Sequence, residues 1–280
     1  MDPSLVGACG SLAMVLEASA SPKPGNVGPR HDHGGARYEH FVASALACRP
    51  ALEGAARERR GLGRWFRRAV EASVAAQPGG NTHFGTLLLL VPLAAGAGGA
   101  RGPAAVRSRA HRLVRRSTAE DAVGFYRAFR AAPVRVAPFA GPLDLRDPRA
   151  GAAARRSGTT LYDAVTLAAP RDRVAREWSN GFAECGWAAS RLAARLGRSC
   201  WNEGVVRTYL DLLARAPDSL VAVKAGAAAA ERVRRRARAL RRAPLRRLER
   251  WDDELAARGI NPGSTADILV AGIFLWLLGR

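Results

Sequence analysis

Lysine is nearly absent from this 280-residue chain: of its 44 basic residues only Lys23 and Lys224 are not arginine. Aromatic residues are also scarce, at 6%. Cysteine is limited to Cys9, Cys48, Cys185 and Cys200, scattered and without a C-x-x-C pair. That spacing excludes the common zinc sites, and four thiols in a chain this long do not make a disulfide framework. The longest apolar run free of charge and strong breakers, Ile268 to Leu278, has 11 residues, against the roughly 20 that a membrane span needs. The start Met1-Asp2-Pro3 has no basic n-region, so no signal peptide and no membrane partner are expected, and the chain is expected in the cytoplasm. The phosphate-loop motif G-x-x-x-x-G-K-[ST], the dinucleotide motif G-x-G-x-x-G and the hydrolase elbow G-x-S-x-G are all missing. No stretch alternates with period two for long enough to make a convincing strand.

What remains is a globular balance, with 48% hydrophobic and 24% charged residues. The apolar content is mostly Ala, Leu and Val, which favours helices packed closely through small side chains. The expected fold class is all-α, a multi-helix bundle in a single domain over 1–280. The net charge of +20 fits a polyanionic partner. An Arg preference this heavy, beside so much Ala and Gly, equally fits a bias toward GC-rich codons, and no nucleic-acid partner is expected from charge alone.

Apolar spacing predicts a helix over Leu5 to Ala20, stopped by Ser21-Pro22-Lys23-Pro24-Gly25. A second helix starts near Arg37 and runs through Phe41, Val42, Ala45 and Leu46 toward Arg49-Pro50. A third covers Arg64 to Ala76. The run Leu87 to Leu93 is apolar on every face and should be buried. Ala94 to Pro103 reads as a loop, and Thr118 to Ala131 as a helix capped by Thr118. Ala132 to Gly158, rich in proline, is the least regular stretch and is expected to be an excursion or lid. From Leu161 the pattern is helical almost to the end, broken at Pro170, Gly197, Pro217, Pro244 and Asn261-Pro262-Gly263.

Three loops share one grammar, small polar residues with Gly or Pro followed by a helix: Ser21 to Gly28, Gly79 to Thr86, and Asn261 to Asp267. In a bundle such loops can converge at one mouth, where helix N-termini offer amide donors to anions. Each also reads more plainly as a helix cap. Ser264 or Thr265 caps a helix whose positive end Asp267 faces, or Asp267 holds Mg²⁺. Asn81 or Thr82 caps another, with His83 a hydrogen-bonded structural residue or a catalyst, and with Gly85 letting a ligand approach the backbone. Ser21 to Asn26 is a rigid turn, or a phosphate site in which Lys23 supplies a compact charge beside the Gly25 and Asn26 amides. Lys224 stands out by the same rarity. Arg30-His31-Asp32-His33 with Glu39-His40 reads as a solvated loop or a metal site, without the H-E-x-x-H helix of a zinc hydrolase. Arg232 to Arg250 holds ten arginines in 19 residues and reads as a solvated face, or as an anion-binding edge.

Glu17-Ala18-Ser19-Ala20-Ser21-Pro22-Lys23-Pro24-Gly25-Asn26-Val27, followed by Glu39-His40-Phe41-Val42-Ala43-Ser44-Ala45, resembles the N-terminal signature of the triphosphoribosyl-dephospho-CoA synthase family. Asn81-Thr82-His83-Phe84-Gly85-Thr86 is similar to the family's central segment, and Asn261-Pro262-Gly263-Ser264-Thr265-Ala266-Asp267 to its C-terminal one. The motifs stand in the family's order across nearly the whole chain. The resemblance implies an all-helical transferase that moves the triphosphoribosyl group of ATP to the ribose 2′-hydroxyl of dephospho-CoA, or of a related cofactor precursor, and releases adenine. Displacement at an anomeric carbon asks for Mg²⁺ and cations on the triphosphate, a carboxylate near the ring, and a base for the attacking hydroxyl. The candidates are Lys23, Gly25, Asn26, Asn81, Thr82, Gly85, Lys224, Ser264 and Thr265 for ATP and its phosphates. Glu17 and Asp267 are the candidates for the metal, and Glu39, His83 and Asp267 for catalysis.

The family's G-A-R-G-E-A stretch is missing. Tyr162-Asp163-Ala164, Glu177 to Phe182 and Pro217 to Lys224 stand in its place, and the first loop reads His31-Asp32-His33. These departures resemble a divergent branch found in archaea and in some bacteria of one-carbon metabolism. The rival reading is a non-catalytic basic helical protein that binds RNA or phosphorylated ligands through Arg232 to Arg250. If the transferase reading holds, Lys23→Ala and Asp267→Ala abolish turnover while the fold survives.

Overall fold

The computed structural model describes residues 1–132, 134 and 141–280. Among these residues there is no strand, only the isolated bridges Gly28–His31 and His33–Ala36. The chain opens with α1 (Pro3–Ser19), α2 (Tyr38–Ala47), α3 (Arg49–Glu58) and α4 (Leu62–Ala75). Next come α5 (Phe84–Ala97), α6 (Pro103–Arg115), α7 (Ala119–Ala131) and α8 (Ala150–Ser157). They are followed by α9 (Leu161–Thr166), α10 (Arg173–Ser179), α11 (Ala183–Leu196) and α12 (Trp201–Arg215). The last four are α13 (Ser219–Ala225), α14 (Ala227–Leu240), α15 (Leu245–Ala257) and α16 (Gly263–Leu277). The all-α expectation holds, and no helix among the described residues is long and apolar enough to cross a membrane.

Two helices make the centre. In α5 all but Gly85 is buried, and α16 is buried from Ser264 to Leu275 except at Asp267. They pack on each other, with α1, α3, α6, α11 and α12 around them. Burial of both helices on every face matches their charge-poor sequences. Pro92 lies inside α5 and has no N–H to give the Leu88 carbonyl one turn earlier. The Trp178 indole from α10 fills that vacancy, donating to Leu88 O at 3.0 Å.

Several boundaries differ from the sequence reading. The second helix does not end at Arg49-Pro50: α2 stops at Ala47 and α3 begins at once, with Pro50 in its first turn, where a missing N–H costs nothing. Ala94 to Ala97 belong to α5 rather than to a loop, because these small residues pack in the core. Pro103 opens α6 for the reason that lets Pro50 open α3. Within the expected excursion Ala132 to Gly158, residues 133 and 135–140 lie outside the described residues, and Ala150–Ser157 is helical. Thr118 does cap α7, exchanging hydrogen bonds with Asp121 in a capping box.

Candidate active site

The three loops meet. Asn26 Nδ2 of the first donates to Asn261 Oδ1 of the third at 3.0 Å. Thr86 Oγ1, at the end of the second, donates to Asp267 Oδ1 of the third at 2.6 Å. Gly79 packs against His40 of α2, and a Cβ at Gly85 would overlap Asp267 Oδ2. Gly85 is therefore the residue that lets the Asp267 carboxylate lie against the start of α5.

The first loop is sealed rather than open. Lys23 is 2% exposed, and its ammonium donates to Glu17 Oε1 at 2.5 Å, Asn26 Oδ1 at 2.8 Å and Val27 O at 3.4 Å. All three of its donors are in use. Burial pulls the Lys23 pKa down and pushes that of Glu17 up, while their contact opposes both shifts. The Gly25 amide donates to Asp252 Oδ1 at 2.8 Å, with φ of +79° and no room for a Cβ against Ile260 O. In the folded chain Lys23, Gly25 and Asn26 hold the loop together, so Lys23→Ala perturbs the fold as well as the site.

The helix N-termini at the mouth are filled from within. Asp218 Oδ1 accepts from the Leu220 and Val221 amides, and its Oδ2 from the Thr265 amide and hydroxyl at 2.7 Å each. Asp172 Oδ1 accepts from the Val174 and Ala175 amides, and Asn81 Oδ1 from the Phe84 amide. Ser264 shares a 2.7 Å hydrogen bond with Ser219 and accepts from the Leu220 amide, so it caps α13 and not its own helix. Arg173, 3% exposed, binds Thr265 and Glu184. The amides expected to be free for anions are thus taken by the chain's own oxygens.

A cavity of about 230 Å³ opens at this junction. Asn81, Gly85, Ser264 and Asp267 of the expected site line it, together with Asp172 and Ser219. The rest of its wall is mostly apolar, including Phe84, Leu88, Phe125 and Val165, and its one cation among the described residues is the exposed Arg171. Burial pushes the Asp267 carboxyl up to about 7. The Thr86 hydrogen bond opposes that shift, and the charges of Asp218, Glu17 and Asp172 add to it. Asp172 is also raised by burial, against the pull of its two amides.

The pattern of the family described as ATP:dephospho-CoA triphosphoribosyl transferase matches residues 3–280. The chain belongs to that family. It is a transferase, and its function is the family's transfer of a triphosphoribosyl group from ATP to dephospho-CoA. The non-catalytic reading falls with that assignment. A crystal structure of a candidate triphosphoribosyl-dephospho-CoA synthase from Archaeoglobus fulgidus is similar, with a TM-score of 0.74 and 31% identity over 87% of this chain and 99% of that one. No curated protein matches the chain.

The remaining expected residues of the transferase lie around the cavity or away from it. His83 is fully sheltered: burial, then the Lys23 charge, holds its pKa down to about 3. Its Nδ1 shares a 2.9 Å hydrogen bond with Ser44, and its buried Nε2 has no partner. Thr82 donates to Ser44, tying the second loop to α2. Glu39 is exposed and paired with Arg37, and Lys224 is exposed in the last turn of α13. Glu17 and Asp267 are not assembled as a metal pair, because Glu17 is committed to Lys23 and does not line the cavity. Among the described residues no group of three or more His, Cys, Asp or Glu is placed to hold a metal ion. That applies to the His31-Asp32-His33 segment too, where His31 and Arg30 bind Asp253 at 2.7 and 3.0 Å. Asp172 went unread in the sequence, and Thr86, the end of the second loop, was given no role there. Asp172 follows Pro170-Arg171 ahead of a short helix and carries only the signal of an ordinary cap.

Proposed function

We propose that triphosphoribosyl transfer takes place at this cavity, on dephospho-CoA or a related cofactor precursor as acceptor, with Asp267 as the residue that handles the proton. One observation carries the reading: a half-buried carboxyl, poised near neutrality, stands at the meeting point of the second and third loops and lines the cavity. A proton donor or acceptor works best when its pKa lies near the working pH. His83 at about 3 is a weak base, and Glu39 lies in solvent, so neither competes. Lys23, Asn26, Thr82 and Thr265 support the site by fixing its loops, while Asn81 and Ser264 present polar groups to the ligand.

The chemistry is displacement at the anomeric carbon of the ATP ribose, where positive charge grows as the bond to adenine breaks. Asp172 supplies negative charge on the wall where that carbon would lie. Magnesium would enter as the counter-ion of the triphosphate, held chiefly by phosphate and water oxygens, as is usual for this cation. The test is mass-spectrometric detection of adenine released from ATP and Mg²⁺, with and without dephospho-CoA. Adenine that appears only with dephospho-CoA, beside a product heavier by the triphosphoribosyl group, supports the proposal. Adenine release that Asp267→Asn leaves unchanged overturns the assignment of this residue and this cavity.

A further inference from the structure

A polyanionic triphosphate is a poor match for the interior of the cavity. Its one cation among the described lining residues, Arg171, is exposed, and two carboxyl groups, Asp172 and Asp267, share the wall. The helix amides that could bind phosphate are already capped by Asp172, Asp218 and Asn81. Burying phosphate there would leave charge without a partner. The apolar wall, with Phe84 and Phe125 in it, suits a flat neutral ring instead.

The polar end of the cavity offers hydrogen-bond donors. The Asn81 side chain turns its oxygen to the Phe84 amide at 3.0 Å. Its Nδ2 makes no hydrogen bond among the described residues and is left to meet a ligand. Thr86 donates to Asp267 Oδ1, so when the carboxyl is protonated its hydrogen sits on Oδ2. That oxygen lies against Gly85, in the space a Cβ would fill, and both residues line the cavity. Two donors therefore flank a slot with apolar walls, which is the complement of a purine edge with its ring-nitrogen acceptors.

We infer that this cavity holds the departing purine base of ATP, edge-on to Asn81 and Asp267, and that Asp267 hands the base its proton as the glycosidic bond breaks. The inference rests on the reaction site proposed above. In this step the bond from ribose C1′ to purine N9 breaks and its electron pair stays on the base. The Asp267 proton moves to a ring nitrogen, so adenine leaves neutral. The acceptor 2′-oxygen forms the new bond to C1′, and its hydrogen passes to the Asp172 carboxylate and on to water. Asp267 is then reprotonated from solvent, which closes the balance. The triphosphate lies outside the slot, toward Arg171.

Two measurements test this on the full chain. The first compares turnover of ATP with that of its N7-methylated analogue, whose base leaves as a neutral molecule without a proton. Asp267→Asn should lower ATP turnover about 10²- to 10⁴-fold, the usual worth of a positioned acid, and leave turnover of the methylated analogue near the wild-type rate. Equal loss on both substrates overturns the acid role. The second titrates free adenine calorimetrically into wild type and into Val165→Trp, which fills the apolar wall. Adenine should bind wild type and not the variant, with the melting temperature showing that the variant is folded. Adenine bound equally by both proteins overturns the base pocket, whereas a wild type that releases no adenine from ATP with dephospho-CoA overturns the proposed function itself.

Discussion

Asp267→Asn should stabilise this protein, and by an amount that depends on pH. The carboxyl titrates near 7 in the folded chain, against an ordinary value of 3.8. Between those values the folded state keeps a proton that the unfolded chain has released. Stability from this group is therefore complete below about pH 4, falls as pH rises, and levels off above about pH 7. The full loss is about 4 kcal/mol, from roughly 1.4 kcal/mol per pH unit over the window. Asparagine keeps the acceptor for Thr86 and does not titrate. Its advantage over wild type should then grow by about 3 kcal/mol between about pH 5 and pH 8, or roughly 6 °C in Tm for a chain this size. Thermal unfolding of both proteins, followed by circular dichroism at the two pH values, reads this directly. A Tm difference that stays constant with pH refutes the shifted carboxyl. Asparagine that is also inactive gives the expected mark of a functional group kept at a cost in stability.

Other perturbations follow from the same geometry. Gly85→Ala places a Cβ on Asp267 Oδ2, so turnover should fall at least tenfold with little change in Tm, and retained activity would disprove the close approach. Lys23→Met leaves Glu17 buried without its partner and should cost about 3–5 kcal/mol in chemical denaturation, whereas Glu17→Leu with Lys23→Met should recover most of it. Failure of the double variant to recover would mean that the pair does more than satisfy itself. Thr86→Val removes the one hydrogen bond that favours the Asp267 carboxylate, so the alkaline limb of the kcat profile should move to higher pH; an unmoved limb counts against Asp267 as the acid. Trp178→Phe leaves the Leu88 carbonyl beside Pro92 unpaired and should cost about 1–3 kcal/mol, a loss that denaturant titration would show.

The sequence by itself determined the helices and the family. Charge-poor runs such as Leu87 to Leu93 and Ile268 to Leu278 can only be stable when buried all round, so they had to be the centre of a bundle. The breaks at Pro170, Pro217 and Pro244 follow from local chemistry, as does the Thr118 cap, and all were legible because they depend on neighbours in the chain. The three loops were found for the same reason, as short motifs with a grammar of their own. Their convergence was expected, but which groups would be left open was not. Lys23 stood out by rarity as a phosphate ligand, and only the folded chain shows it enclosed by Glu17, Asn26 and Val27. The helix amides were expected to be free, yet Asp172 and Asp218 occupy them. The poise of Asp267 depends on Thr86, 181 positions away in the chain, and on the charges of Asp218, Glu17 and Asp172 from three other segments. A cap, a ligand and an acid share the same residue types. Which of them a carboxylate becomes is decided by its burial and by partners distant in sequence, and tertiary structure alone brings those together.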